Sequence, residues 1–109
     1  MVDKDIEQVD KILKNINKIL EYSKGYTEKS LVENTQVLEA CIFNIMQIGE
    51  SANKISDKFK EKYNHIIWHQ MKGLRNRIVH DYEGVNFELI TEVIFGDIEE
   101  LKRELEKIK

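Results

Sequence analysis

Apolar residues recur at alternating three- and four-residue intervals along nearly the whole chain, and no proline interrupts them. That combination leaves few folds open. Spacing of three and four places side chains on one face of an α-helix, whereas a half-buried strand alternates every second residue. Only five glycines occur among the 109 residues. Turns and strand edges draw on proline and glycine, so their scarcity favours long helices over a sheet. At this length the expectation is a single domain over residues 1–109, built on one core.

The pattern predicts a first helix from about Lys4 to Ser23, with Asp3 as N-cap and Gly25 at its exit. Val2, Ile6, Val9, Leu13, Ile16 and Leu20 form its stripe, widened by Ile12 and Ile19. So strict a stripe also suits self-association. A linker around Thr27–Ser30 leads into a second, longer helix carrying Val37, Leu38, Cys41, Ile42, Ile45, Ile48 and Ala52. Ser56-Asp57 allows a break before a short amphipathic segment around Phe59–Tyr63. Another helix is expected from about Ile66 to Asp81. Gly84 ends the turn and Asn86 caps a last helix lined by Phe87, Ile90, Ile94, Leu101, Leu105 and Ile108. Acidic Glu83 and Glu88 near its start, and Lys102, Arg103, Lys107 and Lys109 near its end, suit the helix dipole. Such stripes with short connections imply an all-α, antiparallel four- or five-helix bundle.

With 41% hydrophobic and 34% charged residues, the chain has a folded rather than a disordered balance. No apolar run is long enough to cross a bilayer, and Met1-Val2-Asp3-Lys4-Asp5 does not open a secretory signal. The expected setting is a reducing cytoplasm, with the single Cys41 a buried thiol. The net charge of -3 hides an uneven distribution. Residues 54–82 carry seven basic and three acidic side chains, while residues 83–109 carry four basic and eight acidic ones. A local positive field of this kind can receive a phosphate backbone, although a solvated lysine-rich surface has the same composition.

Within that basic segment, Gly73-Leu74-Arg75-Asn76-Arg77-Ile78-Val79-His80-Asp81-Tyr82 is the stretch that packing explains least. At about 100° per residue, Arg75 falls inside the apolar sector shared by Trp68, Met71, Ile78 and Tyr82. A charge there must be paired or reach a wet groove. Asn76 and His80 lie one turn apart on the adjoining flank, about 100° and 140° from Arg75, and Gly73 leaves the backbone bare beside the histidine. His80 can accept or donate a proton near neutrality, so beside RNA it can deprotonate a 2′-hydroxyl or protonate a leaving 5′-oxygen. Arg75 can hold non-bridging phosphate oxygens, Asn76 can orient the imidazole or bind phosphate, and Tyr82 can stack a base. One helix supplies only one histidine. A two-fold dimer setting two such helices face to face supplies both. Tyr82, near the helix exit, is also a candidate for modification, because an added phosphate there repels RNA from the same cleft.

The competing reading is structural. Arg75 then pairs with a carboxylate such as Glu50, His80 and Tyr82 cap and pack the helix end, and the chain is a noncatalytic helical adaptor or an RNA-binding module. Asp81 caps or solvates a helix end, and Trp68 and Met71 are core. His65 and His69 are four apart, but no acidic or cysteine pair completes a metal site, so none is expected.

At these residues the chain resembles the HEPN superfamily, whose ribonucleases share an arginine, four to six intervening residues and a histidine. Arg75 through Tyr82 looks like the Arg-x4-His-x-Tyr motif of HepT-like toxins. Trp68 through Tyr82 resembles that family's tryptophan-to-tyrosine helix, and Ile48-Gly49-Glu50-Ser51-Ala52 its glycine-glutamate segment. The likeness covers nearly the whole chain. Asn64-His65-Ile66-Ile67 precedes Trp68 where relatives often carry proline, and Ser51 replaces a common alanine. The resemblance implies a HEPN-like bundle and a homodimer with Arg75 and His80 of both subunits in an interfacial cleft. It implies metal-independent endoribonuclease action without a cofactor, in a type VII toxin–antitoxin system, with tRNA as a target. The implied partner is a minimal nucleotidyltransferase antitoxin that transfers AMP from ATP to Tyr82. Asn76 matches the polar residue after the arginine, and His80 the catalytic histidine.

Overall fold

The computed structural model describes residues 3–84 and 86–108, so Val2 of the first stripe and Lys109 lie outside the described residues. The first helix, α1, runs Lys4–Ser23, and the Asp3 carboxylate accepts the backbone N–H groups of Asp5 and Ile6. Its deepest residues are Val9, Ile12, Ile16 and Ile19, whereas Leu13 and Leu20 are only partly buried. The stripe is therefore centred on the row read as its margin. Two other helices, α3 (Thr35–Asn53) and α7 (Ile98–Glu106), cover that face, which leaves it spent within the protomer rather than offered to a partner.

Gly25 adopts φ 85° at the exit from α1, a left-handed turn that a side chain would strain. A short helix, α2 (Glu28–Glu33), follows where sequence suggested only a linker. Thr27 and Ser30 close a capping box at its start. At its end Asn34 caps α3 by accepting the Val37 N–H, and its amide donates to the Tyr26 hydroxyl. Three capping residues in series satisfy the backbone locally and so turn the expected linker into a short helix that ends where α3 begins.

Ser56 has a similar role beyond α3. Its hydroxyl accepts the Phe59 N–H at the start of α4 (Asp57–Lys62). The same hydroxyl donates to Asp5 Oδ2 at 2.7 Å, and the Ser56 N–H donates to Asp5 Oδ1 at 2.8 Å. The far end of α3 is thereby tied to the start of α1, as an antiparallel pair requires. Ser56→Ala is expected to cost about 1 kcal/mol of stability, the usual worth of a cap. An unchanged denaturation midpoint would show that the tie contributes nothing.

Phe59, Tyr63 and Trp68 form an aromatic knot between α4 and the motif helix, with the Trp68 indole N–H donating to the Tyr63 carbonyl at 3.0 Å. The motif helix, α5, runs Trp68–Glu83, two residues later at each end than the spacing suggested, and Gly84 receives its end. After it come α6 (Phe87–Glu92), a π-helical turn over Val93–Asp97, and α7. Asn86 stands at the start of α6, but its side chain makes no cap bond; its backbone N–H instead binds the Asp81 carbonyl. The π turn has a reason in sequence. Ile90, Ile94 and Ile98 repeat every four residues and are all buried, and a widened turn keeps that spacing on one face where an α-helix would drift.

The result is an all-helical bundle: α3 packs between α1 and α5, α7 lies on α1, and α6 leans on α2 and α5. No helix among the described residues is long and apolar enough to cross a membrane. Cys41 is fully buried on α3, and burial pushes its thiol up from 9.0 to about 11. Its thiolate fraction at neutral pH should then be about 100-fold below that of the unfolded chain. Alkylation should accordingly be slow in the native protein and fast in denaturant; equal rates would overturn this. Because the folded thiol keeps its proton to higher pH, its contribution to stability is complete below about pH 9 and lost toward pH 11.

Candidate active site

The site begins with a glycine. A Cβ added at Gly49 would lie 3.2 Å from the Met71 carbonyl oxygen and 3.3 Å from the Arg75 Cβ, so α3 and α5 meet almost backbone to backbone. Two antiparallel helices this close set their flanking side chains against each other in fixed pairs. Glu50 Oε1 lies 3.3 Å from Arg75 Nε, and Tyr82 donates its hydroxyl to Glu39 Oε1 at 2.8 Å. Phe43 stands between these two carboxylates on the same face of α3 and is 59% exposed. Phe87, from α6, holds the Tyr82 ring edge-on at a centroid distance of 6.0 Å. Hydrogen bonding to the Glu39 carboxylate, reinforced by its charge, raises the Tyr82 phenol above its ordinary value.

The angular reading placed Arg75 inside the apolar sector. Its side chain is in fact 48% exposed, at the rim of the α3–α5 seam, and it is paired with the carboxylate the structural alternative named. A half-exposed pair of this kind contributes at most about 1 kcal/mol, too little to be the reason for an arginine there. His80 is 87% exposed on the neighbouring flank. Among the described residues no hydrogen bond links Asn76 to His80, so Asn76 does not orient the imidazole within the protomer. Arg75 and Tyr82 thus face α3, while Asn76 and His80 face outward, and a single protomer does not gather all four.

Asp81 departs most from its expected role. It is buried rather than solvating a helix end, with Arg77 Nε 3.8 Å from Oδ2 and His80 Nδ1 3.7 Å from Oδ1. Both distances exceed hydrogen-bond length. Beside Gly73 there is open space, with nothing within 4 Å of an added Cβ. That opening belongs to a groove of about 680 Å³ between α5 and the last helix, floored by Met71, Leu74, Val93 and Ile98. Arg77 reaches it, but Arg75, Asn76 and His80 do not line it. Asp97, Glu100 and Glu104 stand along it and disfavour a phosphate backbone in the groove itself. His65 lies 3.9 Å from Glu104, and no group of three or more metal-ligating side chains occurs among the described residues.

Sequence reasoning passed over Glu39 and Phe43. A signal was present: Glu39 and Glu50 are eleven residues apart, about three helical turns, so they share a face of α3 just as Arg75 and Tyr82 share one of α5. Pairing the two faces needed the contact at Gly49.

Fold and site together define a small helical protein that presents an arginine, a histidine and a tyrosine on one exposed helix. The family model described as Ribonuclease HepT-like matches residues 12–108, and the chain belongs to that ribonuclease family. It is 30% identical over 95 residues to the Methanocaldococcus jannaschii protein named "Putative RNase MJ1380", covering 87% of each chain. It is 37% identical over 106 residues, 96% of this chain and 48% of the other, to that organism's "Gamma-glutamylcyclotransferase and putative RNase MJ0434". The "Probable ribonuclease HepT" of Thermococcus cleftensis is 25% identical over 103 residues, 94% of each chain. No solved structure matches the chain.

Proposed function

We propose that this chain is a metal-independent endoribonuclease toxin that works as a homodimer in the cytoplasm, with tRNA or another cellular RNA as substrate. The observation that carries this reading is that the fold makes little use of the motif's arginine and histidine. His80 is 87% exposed, and Arg75 makes only a half-exposed ion pair. Exposed Phe43, beside Arg75 and Tyr82, gives a second copy an apolar seat at the site. Facing protomers would then contribute Arg75 and His80 twice to one cleft. One His80 takes the proton of the 2′-hydroxyl, whose oxygen attacks phosphorus, and the other protonates the departing 5′-oxygen. Arg75 turns from Glu50 to the non-bridging oxygens and stabilises the charge gathered there. Asn76, on the His80 flank, contacts phosphate, and Tyr82 forms the cleft wall. A cognate minimal nucleotidyltransferase antitoxin would silence the dimer by transferring AMP from ATP to Tyr82.

The test is direct. Purified protein incubated with total RNA and excess chelator should yield fragments ending in a 2′,3′-cyclic phosphate, from a species that sediments as a dimer. Binding without product would instead favour an RNA-binding module, which the basic segment over residues 54–82 supports. Neither binding nor product would favour the noncatalytic adaptor, which the Glu50–Arg75 pair supports.

A further inference from the structure

We propose that Glu39 is the proton acceptor for nucleotidyl transfer to Tyr82, so that the toxin itself supplies the base for its own silencing. This rests on the reading of Tyr82 as the modified residue. A phenol is a weak nucleophile until its proton leaves, and an acceptor must lie within hydrogen-bond reach of that proton. Glu39 Oε1 is 2.8 Å from the Tyr82 oxygen and is the only side-chain partner of that hydroxyl among the described residues. The arrangement is held at both ends. Phe87 contacts the ring edge-on, and Glu39 is carried on a helix locked to α5 by the close approach at Gly49.

The electrostatics fit a proton that moves late. Accepting a hydrogen bond from the neutral phenol keeps the proton on oxygen, so free phenolate does not accumulate. The proton leaves only as the new bond lowers the basicity of the oxygen. In that step the tyrosine O–H bond breaks and its proton passes to Glu39 Oε1. A bond forms between the tyrosine oxygen and the α-phosphorus of magnesium-bound ATP. The bond from that phosphorus to its bridging oxygen breaks, and pyrophosphate leaves with the electron pair. Glu39 then gives its proton to water. Nothing is oxidised or reduced.

The experiment compares wild type, Glu39→Gln and Glu39→Asp with the cognate nucleotidyltransferase and magnesium ATP, following the adenylyl mass increment on the Tyr82 peptide against pH. Glutamine keeps an oxygen that can accept the phenol hydrogen bond but takes no proton. Its transfer rate should fall about 100-fold, the low end for general base catalysis, and rise steadily with pH as solvent removes the proton instead. Aspartate should restore part of the rate. Because Glu39 is exposed, thermal melting should be the same in all three. If wild type gains no adenylyl group on Tyr82, the modification reading fails and takes this inference with it. Wild type and Glu39→Gln modified at equal rates with the same pH profile would overturn the inference alone, and place the base on the transferase.

Discussion

Replacing His80 with alanine should lower RNA cleavage by about 10²- to 10⁴-fold, the usual contribution of a positioned acid–base group. The same change should cost at most about 1 kcal/mol of stability, because His80 is 87% exposed and its 3.7 Å approach to the Asp81 carboxylate is longer than a hydrogen bond. That separation gives the test its force. A structural histidine would lose stability and activity together. Arg75→Lys makes a companion probe: lysine keeps the charge but not the planar fork that meets two phosphate oxygens at once, so cleavage should fall while the melting temperature holds. Cleavage by His80→Ala at the wild-type rate would remove the proposed mechanism.

The second large effect lies in the seam beneath the site. Gly49→Val should destabilise the protein by about 3 kcal/mol, near the upper range for overpacking a close contact. Helix propensity by itself argues the other way, since glycine inside a helix costs about 1 kcal/mol relative to alanine. Packing decides. A Cβ at Gly49 meets the Met71 carbonyl at 3.2 Å, and backbone cannot swing aside as a flexible side chain can. Valine adds two further carbons with a stiff χ1. The helices must then part, separating Glu50 from Arg75 and Glu39 from Tyr82. Gly73→Ala is the internal control: with nothing within 4 Å, it should gain roughly 0.5–1 kcal/mol. Urea denaturation of both variants checks the pair, and a wild-type midpoint for Gly49→Val would mean that the seam is looser than it looks.

Apolar spacing made most of the bundle legible, because burial of a helix stripe leaves a direct periodic trace. The bounds of α1 and its Asp3 cap follow from local rules and agree with the structure. Other features depended on partners that sequence does not name. The short helix α2 arises from Thr27, Ser30 and Asn34 acting together, and the π turn from a run of four-residue spacings that ordinary helix counting absorbs without comment. At the site, Arg75, Asn76, His80 and Tyr82 stood out because their chemistry is unusual on a packing helix. Glu39 and Asp81 did not, because an acidic residue on a helix is ordinary until something is found beside it.

The near-contact at Gly49 also acts as a fulcrum. Arg75 sits at that point, whereas His80 and Tyr82 lie about 7 and 10 Å further along a stiff rod. A push that drives Tyr82 away from α3 therefore swings His80 through most of the same arc and leaves Arg75 almost still. A bulky group on the tyrosine would throw the acid–base pair out of line without loosening the arginine's hold. Cleavage would then be lost by leverage as well as by obstruction.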